Sequence, residues 1–322
     1  MGTLGVLGLE LVQMDTAPTT AYLQIYTEKR CRANCLFCAQ AQGSQADITH
    51  IARGMYVPVD LDEVVKRLCM AFEKGYLLRA CIQTELYDEW WEDTLYLIKS
   101  IRKVSDIPIS LSVFPLSDKH YRELKIVGVN EVVIPLDACT PPLFDKIKGK
   151  SAGGPYSWEK HIDGIRRAAV FFEKVGTHLI IGLGETDEEA VWIIDLLKKI
   201  NANPALFSYT YVNGTQLEIP ERNETISIKH YRTVQLARYL ITEGIANFSD
   251  MRFVDGVLCD FGASKEAILE IIEDGCAFQT TGCSECNRPM ANETFCRIFN
   301  FPRRPDNKEI IGIKKELACI QP

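Results

Sequence analysis

Three cysteines, Cys31, Cys35 and Cys38, lie in one short loop with the spacing C-x3-C-x2-C. The loop follows an apolar stretch at 22–27 and supplies three thiolates, one fewer than the four that normally hold a 4Fe–4S cluster. A cluster held by three of its irons leaves the fourth iron open to a ligand. A structural zinc site is the alternative, but zinc needs four closed ligands, and the residues after Cys38 suit hydrogen bonding better. The spacing therefore predicts a 4Fe–4S cluster on these three cysteines.

The open iron of such a cluster can be chelated by the amino and carboxylate groups of S-adenosylmethionine. An electron from the cluster can then cleave the sulfonium to give a 5′-deoxyadenosyl radical. The spacing, with Phe37 directly before the last cysteine, resembles the signature of the radical S-adenosylmethionine (radical SAM) superfamily. The resemblance implies an enzyme that uses S-adenosylmethionine and a reduced electron donor, a ferredoxin or a flavodoxin. It also places Phe37 and Gln40 among the cofactor-binding residues.

The composition is that of a soluble globular protein. Of the 322 residues, 47% are apolar and 25% are charged, which excludes collagenous, disordered and membrane classes. The formal net charge of -7 provides no basic stripe to neutralise nucleic-acid phosphates or to bind an anionic membrane. The N-terminal stretch lacks the basic region of a secretory signal, and seven of the 12 cysteines gather in two groups rather than being spread as in a disulfide framework. We therefore expect a cytoplasmic protein with no nucleic-acid or membrane partner.

Short β-rich stretches alternate with amphipathic helical stretches from residue 20 to about 285, the pattern of a parallel sheet with crossover helices. Asp187 is expected to cap one of these helices. Eight βα units predict an α/β fold, a TIM-type (β/α)8 barrel with a C-terminal cluster-binding tail, and place the chemistry at the carboxyl ends of the strands. The predicted domains are an N-terminal extension at 1–19, the barrel at 20–288 and the tail at 289–322. The predicted strands are 22–27, 79–84, 108–113, 131–137, 178–183, 206–212, 251–254 and 277–280.

A second group of cysteines, Cys276, Cys283 and Cys286, has the spacing C-x6-C-x2-C, and Cys296 follows ten residues later. This set can bind a second 4Fe–4S cluster or a tetrahedral zinc. The predicted eighth strand would deliver these thiols to the rim that carries the first cluster, which favours a second cluster. Cys283 and Cys286 are the firmest ligands and Cys276 is next. Cys296, Cys259 or an oxygen ligand would complete the set.

Two strand ends carry candidate S-adenosylmethionine contacts. The stretch 179–185 resembles the adenine-contacting G-x-I-x-G-x-x-E element of the radical SAM superfamily, and the resemblance implies contacts from Ile181, Gly182 and Glu185. A plain strand-to-helix turn is the alternative. Asp137 at the end of the fourth predicted strand would accept hydrogen bonds from a ribose diol, unless it only caps the following helix.

Cys81 and Cys139 lie on or just after predicted strands. In biotin synthase, a 2Fe–2S cluster deep in the barrel is held by cysteines and an arginine on the strands. The same arrangement is incomplete here, because the fifth strand carries Gly176, Thr177 and His178 where a ligand cysteine is sought.

Almost the whole chain resembles biotin synthase-like radical SAM proteins, and among them the split lipoyl synthases. The resemblance is strongest at 277–289, which includes G-C-x-x-C-N-R-P, and at 299–303, which reads F-N-F-P-R. It implies insertion of sulfur into a protein-bound octanoyl chain, with an octanoylated lipoyl carrier protein or domain as substrate and a homologous second radical SAM subunit as partner. The alternatives are another radical SAM enzyme, such as a biotin synthase-like enzyme, mutase, methylase or metallocofactor maturase, with a structural tail metal site, and a non-enzymatic scaffold or electron carrier.

Overall fold

The computed structural model describes residues 2–51, 54–217, 226–289 and 297–317. Its central feature is a parallel sheet of six strands. In chain order the strands are β1 (Thr20–Gln24), β2 (His50–Ile51), β3 (Gly54–Met55), β4 (Arg79–Gln83), β5 (Ile109–Ser112), β6 (Glu131–Val133), β7 (Val175–Ile181), β8 (Ala202–Ser208), β9 (Arg252–Val254) and β10 (Val257–Asp260). The sheet order is β1-β4-β5-β6-β7-β8, while β2 and β3, and β9 and β10, form two antiparallel pairs.

The described residues form ten α-helices, and those between β1 and β8 connect the strands of the sheet. The ten helices are α1 (Gly2–Val6), α2 (Leu61–Glu73), α3 (Trp90–Arg102), α4 (Asp118–Ile126), α5 (Pro141–Ile147), α6 (Trp158–Phe171), α7 (Asp187–Lys199), α8 (Ile228–Thr242), α9 (Lys265–Asp274) and α10 (Asn307–Leu317). Every sheet strand overlaps one of the first six predicted strands. The α/β TIM-type class is therefore confirmed, and within the described residues no helix is long and apolar enough to cross a membrane.

The predicted seventh and eighth strands do not join the sheet. Residues 252–254 pair with β10 in a separate hairpin, because Asp255 (φ 50°) and Gly256 (φ 78°) form the two-residue turn that an Asp-Gly pair favours. Residues 276–278 form a short 3-10 helix directly after Gly275 (φ 81°), which ends α9 in the left-handed conformation. Gln279 makes only an isolated bridge to Phe301.

The cap of α7 also differs from the sequence-based prediction. Thr186, not Asp187, is the N-cap residue, because its hydroxyl accepts from the Glu189 N–H while the Glu189 carboxylate accepts from the Thr186 N–H. This reciprocal capping box satisfies two N–H groups of the first turn. Asp187 is thereby free for other contacts, and its carboxylate accepts a hydrogen bond from the Leu258 N–H at 2.9 Å.

The register of the sheet aligns polar residues on its inner face. Tyr22 lies opposite Cys81, Cys81 opposite Ser110, and Ser110 opposite Glu131. Because side chains alternate along a strand, aligned residues of neighbouring strands point to the same face. One row of side chains from four strands therefore surrounds the interior near the amino-terminal ends of the strands.

Candidate functional site

The loop that contains Cys31, Cys35 and Cys38 follows β1 at the carboxyl-terminal edge of the sheet. The Cys31 N–H donates to the Gln40 carbonyl at 3.0 Å and the Cys38 N–H to the Cys35 carbonyl at 2.9 Å, so the loop folds back on itself. The Leu86 N–H, just beyond β4, donates to the Cys31 sulfur at 3.3 Å. Backbone N–H groups that point at cysteine sulfurs tune iron–sulfur clusters. The donor set of this loop therefore fits a cluster.

Burial raises the pKa of all three thiols, and that of Cys38 to about 12. The Lys148 ammonium is the main group that opposes this effect at Cys35. Since only thiolates bind metal, a bound metal is what would keep these sulfurs deprotonated at neutral pH.

Lys148 and Asp137 form a buried ion pair beside this loop. Lys148 Nζ lies 2.6 Å from Asp137 Oδ2 and 2.8 Å from the Pro135 carbonyl oxygen. Asp137 has a φ of 67°, unusual for a residue other than glycine. Sequence reasoning missed Lys148, although it lies four residues after the buried Phe144, a spacing that marks a core-facing position.

Glu85 is a second group that sequence reasoning missed. It follows β4 at the carboxyl end of the sheet and is buried, and burial raises the pKa of its carboxyl to about 7. Oε1 accepts from the Gln24 amide, whereas Oε2 is buried and has no hydrogen-bond partner among the described residues. Its position directly after an apolar strand was the available signal. An unpartnered carboxylate oxygen at this edge can accept a hydrogen bond from a ligand's ammonium group.

The glycine-rich turn after β7 is organised by Glu185. Its two carboxylate oxygens accept from the Gly182 N–H at 2.6 Å and from the Leu183 N–H at 3.0 Å. His230 Nε2 lies 3.1 Å from Glu185 Oε1. Both oxygens are thus bonded within the protein, and Glu185 positions the turn. A direct contact of Gly182 or Glu185 with adenine stays a prediction.

A contact of Ile181 with adenine also stays a prediction. Ile181 is fully buried in the hydrophobic core, and its carbonyl accepts from the Tyr209 N–H at 2.8 Å. Ile180 lines the cavity instead. Because side chains alternate along a strand, the side chains of Ile180 and Ile181 point to opposite faces of the sheet.

One large cavity, of about 1400 Å³, occupies the interior. At the carboxyl end of the sheet it is lined by the predicted residues Phe37, Cys38, Gln40 and Asp137, and by Glu85. Deeper residues of its wall are Tyr22, His178, Phe207 and Arg288. Segments from 2–18 and 298–303 line its side next to the edge strands β1 and β8. The cavity therefore extends from the cysteine loop down to the middle of the strands.

Cys283 and Cys286, called the tail thiols below, come just before the predicted tail at 289–322 and lie on the inner face of the sheet, near the amino-terminal ends of its strands. The Cys81 thiol is hydrogen-bonded to Cys283, an interaction that raises the pKa of Cys81 and lowers that of Cys283. The Tyr22 hydroxyl lies 3.5 Å from the Cys286 sulfur. The prediction that these thiols share the rim of the first cluster is wrong, because 276–278 is not a strand that runs to that rim.

The other predicted ligands lie elsewhere. Cys276 is exposed, and its N–H donates to the Asp274 carboxylate at the end of α9. Cys259 is exposed on β10. Cys296 lies outside the described residues. The structure therefore unites Cys81, not Cys276 or Cys259, with the two tail thiols. Among the described residues, no three histidine, cysteine or acidic side chains are grouped around the position of a single metal ion.

Comparison with known proteins decides the family. Residues 25–197, more than half of the chain, match the Radical SAM superfamily. The chain belongs to the radical SAM superfamily. The superfamily implies S-adenosylmethionine and a 4Fe–4S cluster. The loop with Cys31, Cys35 and Cys38, called the radical SAM loop below, has three thiols that fit this cluster.

Relatives of the chain include a biotin synthase of Magnetococcus marinus, 27% identical over 192 residues that cover 58% of this chain and 56% of the relative. An uncharacterised protein of Methanocaldococcus jannaschii is 22% identical over 223 residues, 67% of this chain and 56% of the relative. The chain thus spans about half the length of the curated relatives it matches. The crystal structure of a methylornithine synthase is similar in fold, with a TM-score of 0.53 at 14% identity over 70% of this chain and 63% of that chain.

Proposed function

We propose that this radical SAM protein inserts sulfur into a protein-bound octanoyl chain during the synthesis of the lipoyl cofactor. The observation that carries the proposal is the shared cavity. Its wall includes Cys38 of the radical SAM loop at one end and, at the other, Tyr22 and Arg288, two residues in contact with the Cys286 thiol. A substrate carbon in this cavity would lie between a radical source and a group of thiols.

When bound, the first cluster and S-adenosylmethionine would supply a radical that removes hydrogen from an unactivated carbon. Cys31, Cys35 and Cys38 would hold that cluster. Asp137 and Glu85 would bind polar groups of S-adenosylmethionine, because both are carboxylates on the cavity wall at the carboxyl end of the sheet. The tail thiols would hold the sulfur source.

The cavity also suits an apolar chain. Its volume of about 1400 Å³ exceeds the usual range for one small ligand, so a cofactor and an acyl chain can occupy it together. Apolar side chains of the N-terminal segment and β1 line one side, among them Leu4, Leu7, Val12 and Leu23. Burial lowers the pKa of His178 to about 3, so this deep residue is neutral and adds no charge beside the chain.

The proposed partners follow from the same chemistry. The substrate would be an octanoylated lipoyl carrier protein or domain, and a homologous second radical SAM subunit would share the reaction. A reduced ferredoxin or flavodoxin would supply the electron. The similarity to biotin synthases supports placement among biotin synthase-like enzymes.

The test is anaerobic turnover with an octanoyl-lysyl peptide, with and without a homologous partner. Formation of 5′-deoxyadenosine and of thiolated peptide is measured by mass spectrometry. We expect Cys283→Ala to keep 5′-deoxyadenosine formation but to abolish thiolation, and the control Cys69→Ala, on α2, to keep both. Thiolated product from Cys283→Ala would contradict the sulfur-donor role. Formation of 5′-deoxyadenosine without thiolation in the wild type would favour another radical SAM reaction with a structural tail site.

A further inference from the structure

We propose that Cys81, Cys283 and Cys286 together hold an iron–sulfur cluster inside the sheet, near the amino-terminal ends of its strands. The proposal deepens the proposed function, because it defines the site of the sulfur source and replaces Cys276 by a thiol on β4. Only the role as a sulfur source rests on the proposed function. The assignment of Cys81, Cys283 and Cys286 as ligands is inferred from the contacts of these three residues alone.

The first argument is the convergence of the three thiols. Cys81 is the third residue of β4, and the sheet register places it between Tyr22 and Ser110 on the inner face. Cys283 is hydrogen-bonded to both Cys81 and Ser110, and Cys286 contacts Tyr22 at 3.5 Å. Two thiols from the tail and one from the sheet therefore meet in one buried row.

The second argument is how firmly the tail segment is held at this place. The Arg79 guanidinium donates to the Ser284 carbonyl at 2.8 Å, and Lys174 Nζ donates to the Ser284 hydroxyl at 2.6 Å. The Asn203 amide donates to the Gly282 carbonyl at 2.6 Å. The Thr20 hydroxyl donates to the Glu285 carbonyl at 3.4 Å. Arg79 and Thr20 are the first residues of β4 and β1. Lys174 directly precedes β7, and Asn203 is the second residue of β8.

The backbone of the segment is strained as well. Glu285 has a φ of 64° and Arg288 a φ of 31°, both in the region that favours glycine. Residues in such conformations are strained and cluster at ligand-binding sites, where the surrounding structure fixes them. Two of them within four residues, on either side of Cys286, show that the position of this thiol is defined at an energetic cost.

The charge around the thiols suits an anionic cluster. Arg288 lies with its guanidinium carbon 3.8 Å from the centre of the Phe207 ring, and its charge acts to lower the pKa of Cys286. The Arg79 guanidinium lies 3.5 Å from the buried Glu131 carboxylate, so the charges of this pair oppose each other beside Cys283 and Arg288 is the cation that matters there. A cluster with thiolate ligands carries negative charge, and buried negative charge requires such cations.

A cluster fits the three thiols better than a single zinc ion. Zinc draws four ligands around one centre, and the described residues contain no such group of three or more. In a cluster, each cysteine binds a different iron, and cysteine thiolates are its usual protein ligands.

The test removes the first cluster so that only the second is counted. In a Cys31→Ala/Cys35→Ala/Cys38→Ala background, iron, acid-labile sulfide and the visible and EPR spectra are measured after anaerobic reconstitution. We expect this background to bind iron and sulfide in equal amounts. Adding Cys81→Ser should lower both by about tenfold or more, since removal of even an indirect partner of a metal costs 10–100-fold in affinity. Adding Cys276→Ser should leave both unchanged.

Several outcomes would overturn the proposal. They are a background protein without iron and sulfide, zinc in place of iron, a cluster that survives Cys81→Ser but not Cys276→Ser, and a Cys81–Cys283 disulfide in anaerobically purified protein. Cys139→Ser, at another buried thiol, controls for general damage, and circular dichroism checks the folding of each variant. This test measures iron and sulfide and uses no octanoyl substrate. Failure of the lipoyl reaction would therefore not contradict the ligand set, and failure to find the cluster would not by itself exclude the lipoyl reaction.

Discussion

Lys148 Nζ lies 2.6 Å from Asp137 Oδ2, and both residues are at least nine-tenths buried beside the radical SAM loop. The ammonium also acts to lower the pKa of Cys35. When a buried charge loses its partner, the free-energy cost of its removal from water is no longer offset. The pair therefore matters both for the stability of the fold and for the charge beside the first cluster.

Replacement of Lys148 should destabilise the protein strongly. We expect Lys148→Met to lower the free energy of unfolding by about 3–5 kcal/mol, because Asp137 would remain as an unpaired buried carboxylate. Urea denaturation under anaerobic conditions measures the loss. The control Lys29→Met removes a pair in which both side chains are exposed, with a distance of 3.8 Å to Glu89, and should cost less than about 1 kcal/mol. Adding Asp137→Asn to Lys148→Met should restore part of the stability, and no restoration would contradict the pairing argument.

The contact between His230 and the carboxylates of Asp187 and Glu185 predicts a pH-dependent stability. Burial acts to lower the pKa of His230, but the two carboxylates outweigh it and raise the pKa to about 9 from an ordinary value of 6.5. The folded protein therefore binds more protons than the unfolded chain between these values, so this stabilisation is complete below pH 6.5 and is lost as the pH rises through 9.

His230→Gln tests this contribution. We expect the variant to lose about 2 kcal/mol of unfolding free energy near pH 6, and the difference from the wild type to shrink above about pH 9. Thermal or urea unfolding across this range measures it. Asp187→Asn should weaken the same pH dependence, since it removes one of the two charges. A loss that is the same at every pH would show that His230 acts only through packing.

Much of the fold could be predicted from the sequence because its signals are local. The first six predicted strands all match sheet strands, and the loop of Cys31, Cys35 and Cys38 is a motif within eight residues. Local residues also explain why the predicted strands at 251–254 and 277–280 do not join the sheet. Asp255 and Gly256 turn the chain into a hairpin, and Gly275 ends α9 too close to 277–280 for a new strand. Apolar content alone was a weaker signal than these turn residues.

The tail site could not be predicted in the same way. Cys81 and Cys283 are far apart in sequence, and they meet only because 282–288 enters the sheet at its amino-terminal end. Lys148 posed the same difficulty, since its partner Asp137 depends on how α5 packs back on the preceding strand. Spacing motifs describe ligands within one loop, whereas these contacts depend on tertiary packing.

Glu85 predicts a pH dependence of cofactor binding. Because the pKa of its carboxyl is raised to about 7 by burial, the carboxylate form is lost as the pH falls below 7. If this carboxylate accepts a hydrogen bond from the amino group of S-adenosylmethionine, the affinity for S-adenosylmethionine should fall in the same range. We expect Glu85→Gln to weaken binding by about tenfold, which corresponds to about 1.4 kcal/mol, and to remove the pH dependence. Equilibrium binding to the reconstituted protein between pH 6 and 8 tests this, with the iron content as control. An unchanged pH profile in Glu85→Gln would exclude this role.

Gly182 and Gly184 offer a matched pair for the turn after β7. Both have positive φ angles, 102° and 121°, so an alanine at either position is strained by about 1–2 kcal/mol. They differ in space, because an added Cβ at Gly182 would lie 2.9 Å from the Ile226 side chain, whereas at Gly184 the nearest atom is 4.0 Å away. The Gly182 N–H also donates to Glu185.

We therefore expect Gly182→Ala to lower the unfolding free energy more than Gly184→Ala does. We also expect a larger loss of S-adenosylmethionine affinity, because the turn held by Glu185 would move. Denaturation and equilibrium binding of the two variants, each compared with the wild type, measure both effects. Equal losses in the two variants would show that backbone strain alone matters at this turn, and that the close approach of Ile226 to Gly182 contributes nothing to the position of the turn.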